Sequence, residues 1–388
     1  MNTNALSVID ARRKKRINTV LLDDIDLGAA NPWGVACSED GKTICVTQAG
    51  THELSVIDAE ALIEKLVSMP ATREEALKAG HRGSSLVASD VPNDLAFLDG
   101  LHRRVRLYDS EPWRLPERDP TVNGPRGLAV VGSKAFVAAY FTDNLPVVDL
   151  KSKQDKAGSS IALGPKPKIS VQRRGEMLFN DATVCFQHWQ SCASCHPDAR
   201  IDALNWDLMN DGLGNPKNVR SMLLAHKTPP SMSVGVLENA EAAVRSKISH
   251  QLFTVPHKED AAAIDAYLKS LRPVPSPYLV RGKLSPAAQR GKKLFFDTKI
   301  NCAKCHPEPL YTDLKMRDVG SRGKYDRNDE FDTPTLVECW RTAPYLHDGH
   351  FLTVKELLTD GKHGSPNGEL DNLSPQQVDD LVEFVLSL

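Results

Sequence analysis

Two short runs in this sequence carry recognisable chemistry, Cys192-Ala-Ser-Cys195-His196 and Cys302-Ala-Lys-Cys305-His306. Together they use four of the eight cysteines. A Cys-x-x-Cys-His run suits covalent attachment of a c-type haem. Two thiols one helical turn apart can each form a thioether to a haem vinyl group, and the histidine on the same face offers a ring nitrogen to the iron. Cys192, Cys195, Cys302 and Cys305 are therefore the expected attachment residues, with His196 and His306 as proximal iron ligands. Two Cys-x-x-Cys pairs could instead build a four-thiolate zinc site or act as redox disulfides. Neither use requires a histidine directly after each pair. The other cysteines read as inert. Cys37 and Cys45, on either side of an Asp40-Gly41 turn, are expected to be small apolar residues in strands.

The segments that must position these motifs are duplicated. Arg174-Gly175-x-x-Leu178-Phe179-x-Asp181 matches Arg290-Gly291-x-x-Leu294-Phe295-x-Asp297, an offset of 290 − 174 = 116. Downstream, Thr228-x-Pro230 and Gly235 match Thr342-x-Pro344 and Gly349, at 349 − 235 = 114. Each copy reads as helical. Ser285-Pro286 and Ser374-Pro375 place a capping hydroxyl before a proline at the first helical position, and Gln377 completes a capping box. Val378, Leu381, Val382, Val385 and Leu388 follow as an apolar stripe of helical period. Arg272-Pro273-Val274-Pro275-Ser276-Pro277 is a stiff linker between the copies.

A sixth iron ligand is sought in the loop before the last helix of each copy. Neither Gly235 to Leu271 nor Gly349 to Leu388 contains a methionine, whereas His250 and His363 lie at similar distances past their glycines. His250 and His363 are the expected distal ligands, with surface placement as the alternative. Met209, Met222, Met232 and His226 compete at the first haem. The insertion before Cys192 carries His188 and Trp189, which are expected to pack rather than to bind iron.

Residues 1 to 165 have a different character. Ser7-Val8-Ile9-Asp10, Ser55-Val56-Ile57-Asp58 and Val147-Val148-Asp149 recur, and Asn31-Pro32-Trp33-Gly34-Val35-Ala36 aligns with Gly124-Pro125-Arg126-Gly127-Leu128-Ala129. Short β-rich segments at about 40–50 residues per repeat read as propeller blades. Helical patterns interrupt them at residues 59–69 and 71–80. The expected architecture is a multidomain β plus α chain. A partial β-propeller of about three blades (1–165) precedes two tandem all-α cytochrome c-like haem domains (166–275 and 276–388).

Composition narrows the function further. Over 388 residues, 48 Lys and Arg against 50 Asp and Glu leave a formal charge of −2, which argues against a nucleic-acid partner. No apolar run is long enough to span a bilayer. The basic cluster Arg12-Arg13-Lys14-Lys15-Arg16 has no apolar stretch after it, so no export signal is recognised. Because haem attachment to such motifs takes place outside the cytoplasm, a periplasmic or extracellular protein is expected. The missing signal and the small number of blades suggest a natural chain that starts further upstream.

From Arg174 to Leu388 the sequence resembles the bacterial di-haem cytochrome c peroxidase family, including its MauG-like members. The paired haem motifs carry this resemblance, with Asp332-Thr333-Pro334-Thr335-Leu336 and Thr342-Ala343-Pro344-Tyr345-Leu346-His347-Asp348-Gly349. The N-terminal part resembles a YVTN-type propeller. The resemblance implies two covalent haems, one an electron reservoir and one a peroxide-reacting centre. It also implies a calcium ion between the haem domains, with Asn218 and the carbonyls of Thr342 and Pro344 as ligands. Partners would be a small redox protein or a small-molecule electron donor or acceptor. Ser233 and Val234 stand where the family has a tryptophan and an aspartate. Three functions follow: a peroxidase-like oxidoreductase, a pure electron carrier with both irons six-coordinate, or a propeller-based scaffold that carries haems.

Overall fold

The N-terminal repeats fall on equivalent strands of two sheets. The computed structural model describes residues 3–108, 124–165, 168–209, 212–255, 257–365 and 367–388. A hairpin of β1 (Ala5–Asp10) and β2 (Lys15–Leu21) comes first. The first four-stranded antiparallel sheet contains β3 (Pro32–Cys37), β4 (Thr43–Gln48), β5 (Glu53–Asp58) and β6 (His102–Arg106) in chain order. The second contains β7 (Pro125–Val131), β8 (Lys134–Ala139), β9 (Asn144–Asp149) and β10 (Ser159–Ala162). The Asn31 and Gly124 motifs open β3 and β7, and both strands slip register after their proline, between Pro32 and Val35 and between Pro125 and Leu128. Cys45 is fully buried in β4, but Cys37 is exposed at the end of β3 and so does not pack as a core residue.

Between β5 and β6 the chain forms α1 (Ala59–Val67), capped by Asp58, and α2 (Arg73–Lys78), started by a Thr72–Glu75 capping box. Leu62 and Leu66 of α1 pack with Val20, Leu22, Ile57 and Phe97. A second apolar cluster brings Leu54 and Val105 against Val137 and Val148 of the following sheet. Two antiparallel meanders thus share one core through alternate side chains.

The chain divides into two compact units, one of Met1–Ser194 with Leu252–Val255 and one of Cys195–Gln251 with Pro256–Leu388. The boundary expected after residue 165 adjoins residues 166–167, which lie outside the described residues. Helix α3 (Val171–Asn180) belongs to the first unit, and the one-turn helix α4 (Cys192–Cys195) sits at the division. The second unit holds α5 (Ala240–His250), α6 (Lys258–Ser270), α7 (Pro286–Phe295), α8 (Val354–Thr359) and α9 (Pro375–Leu386).

Within the second unit the duplication extends to backbone conformation. Leu224 and Glu338 are both left-handed, at φ 63° and 61°, and each opens a short 3-10 turn, Ala225–Lys227 or Cys339–Arg341. Met232 and Leu346 repeat at φ 74° and 71°, and Gly235 and Gly349 at 63° and 68°. Antiparallel bridges Ser231–Leu237 and Tyr345–Phe351 follow, then the caps Asn239 and Thr353. Each pair is separated by 338 − 224 = 114 residues. Small hairpins precede both copies, β11 (Asn205–Trp206) with β12 (Lys217–Asn218), and β13 (Met316–Asp318) with β14 (Glu330–Asp332).

Helices α7 and α9 pack against each other over an extensive surface. Ser285 and Ser374 cap them as the sequence predicts, and Ser374 with Gln377 forms the expected box. Arg290 clasps Asp380 through two hydrogen bonds of 2.7 and 2.6 Å. Beside that clasp, a Cβ on Gly291 would lie 1.8 Å from the Asp380 carbonyl oxygen. Only glycine permits this approach. Phe295 and Phe384 meet edge to face at 5.2 Å and continue the core that encloses Cys302, Ala303, Leu336 and Cys339. Gly291→Ala should lower stability by about 1–3 kcal/mol in a denaturant titration. Gly158→Ala, at an exposed position with open space around its Cβ, should leave stability within about 0.5 kcal/mol.

Candidate haem centres

At the second motif, left-handed Asn301 (φ 63°) starts the turn Cys302–Lys304. His306 N–H donates to the Cys302 carbonyl at 3.0 Å, which holds both thiols and the imidazole on one tight turn. His306 Nδ1 lies 2.8 Å from the Tyr311 carbonyl. A nitrogen facing a carbonyl must carry the proton, so Nε2 is left as a bare lone pair. Across from that ring stands His363, with ring centroids 6.5 Å apart. Metal–nitrogen bonds of about 2.0–2.1 Å, with each ring centre about 1.1 Å behind its nitrogen, would set two trans imidazoles about 6.3 Å apart. The His306–His363 gap, with the ring planes tilted by 46°, is of the size that one metal ion between two imidazoles needs.

His363 reaches this position because α8 ends at Thr359 and the backbone turns at Lys362 (φ 49°), where His363 N–H donates to Leu357 O at 3.2 Å. Burial, and then the neighbouring His306 ring, push its pKa down to about 4. It stays neutral at physiological pH, which is the ligating form. Burial pushes the Cys302 thiol up to about 11. Trp340 follows Cys339, which shares a core with Cys302, and its buried Nε1–H meets no acceptor among the described residues. A carboxylate-bearing cofactor in this core would supply one. Paired thiols, two neutral facing imidazoles and an orphan donor together fit a covalently held haem.

The first motif repeats the proximal half of that arrangement. Cys192–Cys195 makes one helical turn, and burial pushes the Cys192 thiol up to about 12. His196 Nδ1 lies 3.0 Å from the Arg200 carbonyl, which places the proton of the neutral ring on Nδ1 and leaves the lone pair on Nε2. Burial holds the His196 pKa below its ordinary value, with the Lys247 ammonium adding to the same effect. The distal half differs. His250 is exposed at the end of α5, with Nδ1 2.8 Å from its own helix carbonyl at Ser246. Among the described residues, no ring contact between His250 and His196 corresponds to the His306–His363 pair. Met209 is exposed as well. His226 is buried with Nε2 3.2 Å from Asp265, and its Nδ1 has no partner.

Composition and motif spacing gave no warning of Lys247. It continues the buried face of α5, following Ala240, Ala243 and Val244 and preceding Ile248. Helical periodicity reveals it only in hindsight, as a lysine at a core-facing position.

Asn218 and Pro344 do come together. Asn218 Nδ2 is 2.5 Å from the Pro344 carbonyl, and its N–H donates to His347 O at 2.7 Å. Asn218 Oδ1 is buried without a partner, an orphan oxygen beside a carbonyl of the type calcium takes. The Thr342 hydroxyl bonds to Cys339 O at 3.1 Å. The same loop buries a charged cluster that sequence reasoning missed. His347 Nε2 lies 2.8 Å from Asp326, whose other oxygen is 2.8 Å from Lys217 Nζ, while Phe331 stacks on the His347 ring at 3.7 Å. Burial opposes ionisation of Asp326, but Lys217 and the Gly323 N–H outweigh it and hold the carboxyl well below the usual range.

The chain is 27% identical over 279 residues to hydrazine synthase subunit gamma of Kuenenia stuttgartiensis, covering 57% of this chain and 78% of that protein. It is 24% identical over 330 residues to the methylamine utilization protein MauG of Methylophilus methylotrophus, covering 68% of this chain and 95% of that one. A solved structure of Kuenenia stuttgartiensis hydrazine synthase under 20 bar of xenon superposes with a TM-score of 0.52 at 25% identity, covering 57% of this chain and 88% of that chain. The Cytochrome c family model matches residues 288–388, the segment that holds the second Cys-x-x-Cys-His motif and His363.

Proposed function

We propose that this chain is a di-haem c-type cytochrome of the MauG and cytochrome c peroxidase kind, acting in electron transfer in the periplasm or outside the cell. The observation that carries the reading is the 6.5 Å separation of the His306 and His363 rings above a Cys-x-x-Cys turn. Bound at such a site, haem supplies a one-electron couple and, where the sixth position is free, a place for a small ligand. His306 and His363 would hold the second iron and would then leave no position for an exogenous ligand. Two histidine ligands also favour a lower potential than a histidine–methionine pair. That centre relays electrons.

His196 holds the first iron from the proximal side. Exposed His250, bonded to its own helix, supports an exchangeable distal position there. This favours a peroxidase-like oxidoreductase over a carrier with two saturated irons. The reacting partner is peroxide or a small-molecule donor or acceptor, and electrons come from a small redox protein. Asn218, Thr342 and Pro344 would hold calcium through hard oxygen donors. The two antiparallel meanders read as blades of a YVTN-type propeller that docks a partner. Residues 166–275 and 276–388 are the two haem domains of this reading.

Protein made in a haem-maturation host should contain two haems per chain by pyridine haemochrome assay, and Cys302→Ser/Cys305→Ser should contain one. Stoichiometric zinc with no haem iron would overturn the reading. Electron paramagnetic resonance of the ferric protein should show one low-spin and one high-spin haem. His363→Ala should convert the low-spin signal to high-spin, and an unaltered spectrum would remove His363 from the iron. Two low-spin signals, unaffected by peroxide after half-reduction, would favour the pure carrier.

A further inference from the structure

Arg200 and Glu338 form a bidentate ion pair deep in the second unit. Arg200 Nε lies 2.6 Å from Glu338 Oε2, and Nη2 lies 2.9 Å from Oε1. The side chains are 7% and 1% exposed. The pair also grips the linker between the copies: Val274 N–H donates to Glu338 Oε1 at 2.6 Å, and Arg200 Nη2 donates to Arg272 O at 3.3 Å. Arg200 Nη1 bonds to Asp198 O at 3.2 Å, and Glu338 N–H bonds to Leu388 O at 3.1 Å.

Burying two charges is a costly way to gain stability, because apolar side chains of similar volume do as well or better. Such a pair is good at fixing position. Arg200 has a backbone conformation of φ −115° and ψ −121°, outside the regular regions. Its carbonyl is the acceptor for His196 Nδ1. The guanidinium that anchors this residue is therefore held by a carboxylate of the other copy.

We infer that Arg200 and Glu338 are a positioning pair that sets the proximal hydrogen bond of the first haem from the second repeat. A firm Nδ1–H···O=C bond makes the imidazole a stronger donor, which favours the ferric state and lowers the potential. Among the described residues, the second haem's tie has no ion-paired anchor of this kind: His306 bonds to the carbonyl of Tyr311, whose hydroxyl donates to the exposed Glu308 at 2.9 Å and whose ring packs on Phe295 and Phe384. The second haem is therefore an internal reference. The inference rests on the reading of His196 as an iron ligand.

The test is potentiometry of the di-haem protein, with the second haem identified from its loss in Cys302→Ser/Cys305→Ser. In Glu338→Gln the first-haem midpoint should rise, its ferrous iron–histidine Raman stretch should fall, and the second-haem midpoint should stay put. Arg200→Met/Glu338→Leu replaces the pair with apolar side chains and leaves no unpaired charge. It should fold and show the same selective rise. An unchanged first-haem midpoint and stretch in the double variant, with both haems bound, would overturn the inference. Wild-type protein that binds no haem would instead sink the underlying reading, so the two failures are distinct.

Discussion

A metal-binding imidazole works only if one nitrogen is tied and the other is bare. In both copies the tie is a backbone carbonyl, Arg200 for His196 and Tyr311 for His306, at 3.0 and 2.8 Å. A carbonyl accepts and never donates, so this contact alone fixes the tautomer and aims Nε2 away from it. Around these carbonyls the second unit is tightly held, Arg200 by its pair with Glu338 and the Tyr311 ring by Phe295 of α7 and Phe384 of α9.

The copies share a scaffold and differ where a sixth ligand would stand. In the second copy a short α8 ends early, and the chain turns to bring His363 opposite His306. In the first copy α5 runs on to His250, which carries that histidine out to solvent. A few extra helical residues move a side chain from the interior to the surface, because each adds about 100° of rotation and 1.5 Å of rise. The buried face of the longer helix presents Lys247 instead.

The N-terminal unit is built from the same repeated logic at strand scale. Equivalent segments become equivalent strands with the same register slip after proline. In the first unit Arg104 is nearly fully buried, and its guanidinium is satisfied by Asp24, Glu53 and the carbonyls of Leu27 and Gly28. A buried guanidinium paired this completely acts as a fixed strut between loops and strands.

What the sequence determined by itself was local and periodic. Cys-x-x-Cys-His spacing and the serine–proline caps depend on neighbours within a turn or two, and the offset between copies is a plain recurrence along the chain, so a linear pattern records them. Strand identity in the N-terminal repeats was legible for the same reason. Tertiary structure decided which distant side chains face each other. Nothing in the spacing of His250 and His363 from their glycines distinguishes them, because the length of the intervening helix sets which one points inward. The Arg200–Glu338 and Asp326–His347 pairs were invisible for a related reason. Each joins residues far apart in the chain, and the low-dielectric interior that gives them their strength exists only once the chain has folded.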